Sequence, residues 1–215
     1  MTAILRLNPV FLDIETTGLD PIPTEKKTEC EIVAIGVGYI EDDKLRVEVL
    51  SRDEYSEDDM IVKAIYKLTE NDSNCIIGYN ISFDIPFISA RYLKHEYNSS
   101  LVTRLRQLYR VDLMYVVTRY LQPNNKHVKL KEIAEYLGLP YDSEISGRDI
   151  PKLYEESKFA EIRAHCQRDI ETIFHLFLRL KDLCKHNIQR RYRIDLPIEF
   201  EGEMEGWNRV LSSVG

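Results

Sequence analysis

The chain has 215 residues, 44% hydrophobic and 30% charged, the balance of a soluble globular protein rather than a disordered or fibrous one. That length suits one α/β domain or a tight pair of small ones, and burial of about 70% of the unfolded surface leaves no need for a covalent staple. The formal charge of −7 runs against a phosphate-rich partner, unless the acids gather where bound cations reverse the local sign.

Val10-Phe11-Leu12 is apolar and then gives way to acidic, Thr and Gly residues, which predicts a buried strand ending at a loop. Residues 20–30 carry two prolines and many charges and are expected to form an exposed loop. Ile32 to Ile40 predicts a second strand, Glu41-Asp42-Asp43 a hairpin turn, and Leu45 to Leu50 a third strand. Apolar positions at Met60, Ile61, Ala64, Ile65 and Leu68 predict an amphipathic helix over 57–69. Cys75 to Tyr79 reads as a fourth strand, followed by helical spacing over 84–95. Leu108 to Leu113 is a fifth strand, leading into a helix that runs to Leu121 and breaks at Gln122-Pro123-Asn124-Asn125. A helix over 129–137 stops at Gly138, and the longest periodic segment predicts a helix over 158–185. From Ile194 onward the pattern leaves a strand and a mobile tail both open. The sum is a mixed sheet of about five strands flanked by helices, an α/β fold.

Cys30, Cys75, Cys166 and Cys184 are scattered, which argues against a zinc knuckle or a disulfide framework and suits a reducing compartment. The first ten residues lack the long apolar core of a signal peptide. No window approaches the ~18 apolar residues of a membrane span. The expected location is therefore the cytoplasm. Basic residues cluster in three groups, at Arg104, Arg106 and Arg110, at Lys126, His127, Lys129 and Lys131, and at Arg190, Arg191 and Arg193.

Three segments carry chemistry. Asp13 and Glu15 stand two apart at the end of the first strand, so both carboxylates reach a common point. Such hard oxygen ligands suit magnesium or manganese, and Thr16-Thr17-Gly18 forms a loop able to bring backbone N–H groups close to a ligand. The alternative is a solvated strand end. Asp84 follows a strand and an Asn-containing turn, where an Asp also serves as a simple helix N-cap. His165 and Asp169 lie four apart on one helix face. A histidine titrates near neutrality and suits activation of water, although an i,i+4 surface pair would look the same.

Taken together, the three segments resemble a known family. FLDIETTGLD is similar to the first motif of the DEDD superfamily of 3′→5′ exonucleases, GYNISFDIPFISAR to the second, and HCQRDIETIFHLF to the third. Val111-Asp112-Leu113-Met114, Leu130-Lys131-Glu132-Ile133-Ala134 and Ile150-Pro151-Lys152-Leu153-Tyr154 resemble features of the exonuclease domains of family B DNA polymerases. No polymerase domain is expected to follow, and the expected likeness is to free-standing relatives of that domain. The resemblance spans roughly residues 8–182. It implies a ribonuclease H-like fold, an exonuclease domain over 1–185, and a C-terminal tail of unassigned role over 186–215.

The resemblance also implies two divalent cations, Mg²⁺ or Mn²⁺, one held by Asp13, Glu15 and Asp169 and one by Asp13 and Asp84. Asp13, Glu15, Asp84, His165 and Asp169 become the catalytic set. Thr16, Thr17, Gly18, Leu19, Asn80 and Phe83 become substrate contacts, with Tyr79 and Phe87 as further candidates for base stacking, against core packing for Phe83 and Phe87. The implied partner is the 3′ end of a nucleic acid, with single-stranded or frayed DNA favoured over RNA and nucleoside 5′-monophosphates as product. The rival expectations are an exoribonuclease of the same superfamily and an inactive nucleic-acid-binding or scaffolding module. In one departure, His165 stands where the tyrosine subgroup has Tyr-x-x-x-Asp, which predicts loss of activity at low pH as the imidazole protonates. Whether it acts as a base or orients water stays open.

Overall fold

The structure is a computed structural model describing residues 3–25, 28–42, 44–69, 72–95, 98–141 and 144–201. Asp43 of the expected hairpin turn, two lysines of the 20–30 loop and the last fourteen residues lie outside the described residues. The elements in chain order are β1 (Leu5–Leu7), β2 (Pro9–Thr16), β3 (Ile32–Glu41), β4 (Lys44–Ser51), α1 (Glu57–Thr69), β5 (Cys75–Gly78) and α2 (Ile81–His95). They continue with α3 (Ser100–Gln107), β6 (Tyr109–Asp112), α4 (Leu113–Leu121), α5 (Leu130–Leu137), α6 (Ile150–Glu155), α7 (Phe159–Tyr192) and β7 (Ile198–Phe200).

Five of the strands form one mixed sheet in the order β4-β3-β2-β5-β6. The β2–β3 and β3–β4 pairs are antiparallel, while β5 and β6 run parallel to β2. Alternation along β2 sorts its side chains between two helical layers. Val10, Leu12 and Ile14 enter the core shared with α1, α2 and α3. Phe11 enters the core shared with α4, α5 and α7, and by the same parity Asp13 and Glu15 project toward the α7 side.

The long helix is clamped to β2 just below those acids. Phe11 meets Phe174 and Phe177 edge-on, with ring centroids 5.4 and 5.7 Å apart. Burying aromatic surface of this kind stabilises by about 1.5–3 kcal/mol per ring. Higher up, β3 must let the same helix approach. A Cβ on Gly36 would stand 2.8 Å from Cys166 Sγ and 2.9 Å from Ile170. Gly36 is the register partner of Asp13, so this close approach brings α7 over the acidic end of β2.

The structure departs from the sequence expectations in places. β1, α3 and α6 are short and carried no strong periodicity. α2 begins at Ile81 rather than at residue 84, so Asp84 lies inside the first turn and is not its cap. α7 runs past residue 185 to Tyr192 because Asn187 and Ile188 continue its buried face. Beyond it, β7 pairs in parallel with β1, and Phe200 packs on Phe177 with centroids 4.8 Å apart. Ile198–Phe200 is therefore an ordered strand, and residues up to Glu201 belong to the same body.

Candidate active site

Four carboxylates from three elements converge at the carboxyl end of β2. Asp13 and Glu15 arrive on the strand itself. Asp84 arrives from the first turn of α2, where its Oδ1 accepts the Ile14 amide at 3.1 Å. Asp169 arrives from α7, one turn after His165. Among the described residues, ligand atoms of Glu15, His165 and Asp169 lie within 4.8 Å of one another, as do those of Asp13, Glu15 and Cys166. Asp84 is outside both tight groupings, yet its charge is felt by Asp13 and Glu15.

The electrostatics of this cluster are unfavourable as it stands. Burial, followed by the charges of Glu15, Asp169 and Asp84, holds Asp13 well above the usual carboxylate range. Burial and then Asp169 and Asp84 do the same to Glu15. Asp84 is likewise raised, chiefly by burial. Burial raises Asp169 to about 7, even though Arg168 and a hydrogen bond from Tyr141 both pull it down. Two oxygens, Asp13 Oδ2 and Asp169 Oδ1, are buried without a hydrogen-bond partner. Buried polar atoms are ordinarily satisfied, and hard, closely spaced, orphaned carboxylate oxygens are what an oxygen-seeking divalent cation requires. The donor set therefore fits a hard divalent cation.

His165 is buried between two of the acids, with Nε2 3.5 Å from Glu15 Oε1 and Nδ1 3.9 Å from Asp169 Oδ1. Desolvation, and then the Arg168 guanidinium, push it down to about 4. The imidazole is thus neutral through the physiological range. Protonation of His165 is therefore displaced well below the ordinary imidazole range, because burial and Arg168 outweigh the opposing charge of Asp149.

The proposed substrate contacts fare unevenly. Leu19 is 76% exposed at the tip of the loop after β2, available to a ligand. Thr16 and Thr17 are engaged inside that loop. Thr16 Oγ1 donates to Gly18 O at 2.6 Å, and Thr17 exchanges two 2.9 Å bonds with Glu31. The Thr17 amide is therefore not presented to a ligand. Gly18 is needed for packing, since a Cβ there would stand 2.6 Å from Cys30 Sγ.

Asn80 has φ 64°, a left-handed conformation that Asn tolerates. It acts as the pivot into α2, its amide donating to Asp112 Oδ1 at 3.0 Å. Phe83 is half-buried and packs on Phe87, which at 1% exposure is core and is withdrawn as a stacking candidate. Tyr79 is held by a bond from its hydroxyl to Val128 O at 2.5 Å.

Sequence reasoning missed two residues. The Cys166 thiol lies against the Asp13 backbone, its Sγ 4.0 Å from the Asp13 carbonyl oxygen that accepts from it, and its signal was visible only as a neighbour of His165 on the same helix. Tyr141 donates to Asp169, and its own hydroxyl is pushed up by burial and by Asp169, Asp13 and Glu15. It comes from the connection after α5, where neither periodicity nor spacing points to it.

Residues 10–181 match the RNase_H superfamily. The chain belongs to the RNase_H superfamily. Its members are usually nucleases and use divalent metals, which agrees with the acidic cluster. Among its relatives is an uncharacterized protein of Methanocaldococcus jannaschii, 31% identical over 180 residues, covering 80% of this chain and 94% of that one. The fold is similar to the family B DNA polymerase from the hyperthermophilic archaeon Pyrobaculum calidifontis, with a TM-score of 0.62 and 23% identity. That match covers 81% of this chain but only 24% of the polymerase. The ribonuclease H-like fold expected from the motifs is thus the one observed. Among the described residues no helix is long and apolar enough to cross a membrane.

Proposed function

We propose that this RNase_H superfamily member is a cytoplasmic, metal-dependent 3′→5′ exonuclease that hydrolyses the terminal phosphodiester of single-stranded or frayed DNA and releases nucleoside 5′-monophosphates. The observation that carries this reading is the meeting of Asp13, Glu15, Asp84 and Asp169, with two buried oxygens left unpaired. Asp13, Glu15 and Asp169 would hold one divalent cation, and Asp13 and Asp84 a second. Bound there, such ions supply charge compensation for the phosphate and polarise water and the leaving oxygen.

The chain's own groups do the rest. Neutral His165 accepts a proton from, or orients, the attacking water beside Glu15 and Asp169. Tyr141, kept protonated, holds the Asp169 carboxylate in place by its hydroxyl. Leu19, exposed at the loop tip, offers an apolar surface for the terminal base. The Ile14 amide fixes Asp84 against β2, so α2 and β2 keep their relative position while charge develops.

The test is a panel of 3′-labelled and 5′-labelled DNA and RNA single strands, with Mg²⁺ and with Mn²⁺, alongside the Asp84→Ala protein. Stepwise loss of 3′-terminal mononucleotides from DNA, absent in the variant, is the expected result. Preference for RNA would move the reading to an exoribonuclease. Thermal stabilisation by Mn²⁺ with no cleavage of either strand would point to a binding module instead.

A further inference from the structure

The ends of β2, β5 and β6 lie side by side. β5 and β6 run parallel to β2, so Gly78 and Asp112 finish on the same edge of the sheet as the acids. With neighbouring strands ~4.8 Å apart, Asp112 stands about 10 Å from the acids along that edge. Two adjoining clefts open there, of about 480 and 380 Å³, with Ser82, Asp112 and Tyr115 as their common wall. Asn187, Arg190 and Arg191 complete the larger one. Thr118, Arg119, Asn125 and His127 are among those completing the smaller. Two of the three basic groups read from the sequence, more than sixty residues apart, therefore meet around one tyrosine.

Three features say what these clefts hold. The first is charge. Arg119, Arg190 and Arg191 are exposed, and among the described residues none has a carboxylate partner. The acid in the wall is already engaged, because Asp112 Oδ1 accepts the amides of Asn80, Met114 and Tyr115 at 3.0, 3.1 and 3.3 Å. Guanidinium forks left open in this way match phosphate oxygens. The second is the Tyr115 ring, 54% exposed in the shared wall, a platform of the kind on which an unpaired base stacks. The third is Thr118 Oγ1, which lines the smaller cleft and is buried with no partner.

We infer that the paired clefts bind the single-stranded segment on the 5′ side of the end being cut. Arg190 and Arg191 hold its phosphates, and Tyr115 stacks a base. The inference rests on the nuclease reading for its direction along the strand, but binding itself does not require turnover.

The experiment uses the full chain and a 5′-fluorescein oligothymidylate of about 12 nucleotides, within the length such grooves occupy. Binding is followed by anisotropy with Ca²⁺ across a salt series, for the parent, the Arg190→Ala/Arg191→Ala protein, the Arg190→Lys/Arg191→Lys protein and Tyr115→Ala. Loss of both guanidiniums is expected to weaken binding about tenfold or more and to lower the slope of log K against log salt by about 1.4, since each phosphate contact on a single strand contributes ~0.7. The lysine pair restores the slope. Tyr115→Ala weakens binding at least about fivefold with the slope unchanged.

Hydrolysis of thymidine 5′-(p-nitrophenyl phosphate), too short to reach the clefts, stays at the parent rate in every variant. Parent-like oligonucleotide affinity in both the arginine and tyrosine variants overturns the inference. So does a parent that fails to bind the strand, and so does inorganic phosphate competing as tightly as the strand. Arginine-dependent binding with no cleavage of any substrate leaves the clefts standing and removes the nuclease reading, so the two failures are distinct.

Discussion

Two buried charged clusters lie at opposite ends of the second helix, and they are built on opposite rules. Near its far end, Arg91 is 1% exposed and Glu57 4% exposed. Arg91 Nε donates to Glu57 Oε1 at 2.8 Å, its Nη2 reaches Glu57 Oε2, and its Nη1 reaches Glu29. Glu57 Oε1 also accepts the Ile32 amide at 2.8 Å, and His95 Nε2 lies 3.1 Å from Oε2. Every charge there has an opposite partner. At the near end, Asp13, Glu15, Asp84 and Asp169 repel one another, and two of their oxygens have no partner. The first cluster ties α1, α2 and the start of β3 together, whereas the second holds a repulsion that protonation or a bound cation relieves. A satisfied buried charge marks structure, and an unsatisfied one marks chemistry.

That contrast can be broken at several points. The largest effect is expected from Asp13→Asn or Asp84→Asn. Cleavage of labelled single strands falls to background, while the melting temperature in chelator at pH 8 holds or rises because repulsion is removed. A marked fall in melting temperature would show the acids to be structural. The next largest comes from Arg91→Met, which strands Glu57 in the interior. Breaking a buried pair costs about 3–5 kcal/mol, or about 6–20 °C for a chain of this size, readable by thermal melting. A shift within error would show that the pair is not holding the fold.

Manganese separates the clusters by pH. Carboxyls raised on folding favour the folded state while protonated. Their contribution is full below their unfolded range near 4 and is lost as pH rises through the folded values, about 7 for Asp169. The metal-free protein therefore loses stability between these limits. Mn²⁺ at 100 times its dissociation constant should return about 2.7 kcal/mol, so its effect on the melting temperature is expected to be larger at pH 8 than at pH 5. Equal shifts at both pH values would place the metal elsewhere.

The smallest effect is expected from Tyr141→Phe. Losing one hydrogen bond to a charged group amounts to about 1.5–3 kcal/mol at most, and Asp169 moves further up. The cleavage rate at pH 7 should drop more than at pH 9, a difference that a purely structural tyrosine would not produce.

Much of the fold is readable in the sequence alone. The alternation through β2, the branched run of β3 and the periodicity of α1 and α7 each report one local geometry, and each element is present. Asp13 and Glu15 were legible as a pair because a strand puts alternate residues on one face, and His165 with Asp169 because a helix does the same at four. α3 and β1 were not legible, since short elements are stabilised by their neighbours more than by their own pattern. Arg104 illustrates this: it reads as a surface basic residue, yet its Nη2 donates to Thr69 O at 2.8 Å at the end of α1.

The sequence by itself determined which residues could carry chemistry and on which face of which element each would stand, because periodicity is a local property of the backbone. Only the tertiary structure decided that α7 comes close enough over Gly36 to bring Asp169 and Cys166 to β2, that Tyr141 reaches in from a connection, and that burial takes His165 down to about 4. Those outcomes depend on how far water is excluded and on contacts between residues distant in the chain, and no local pattern encodes either.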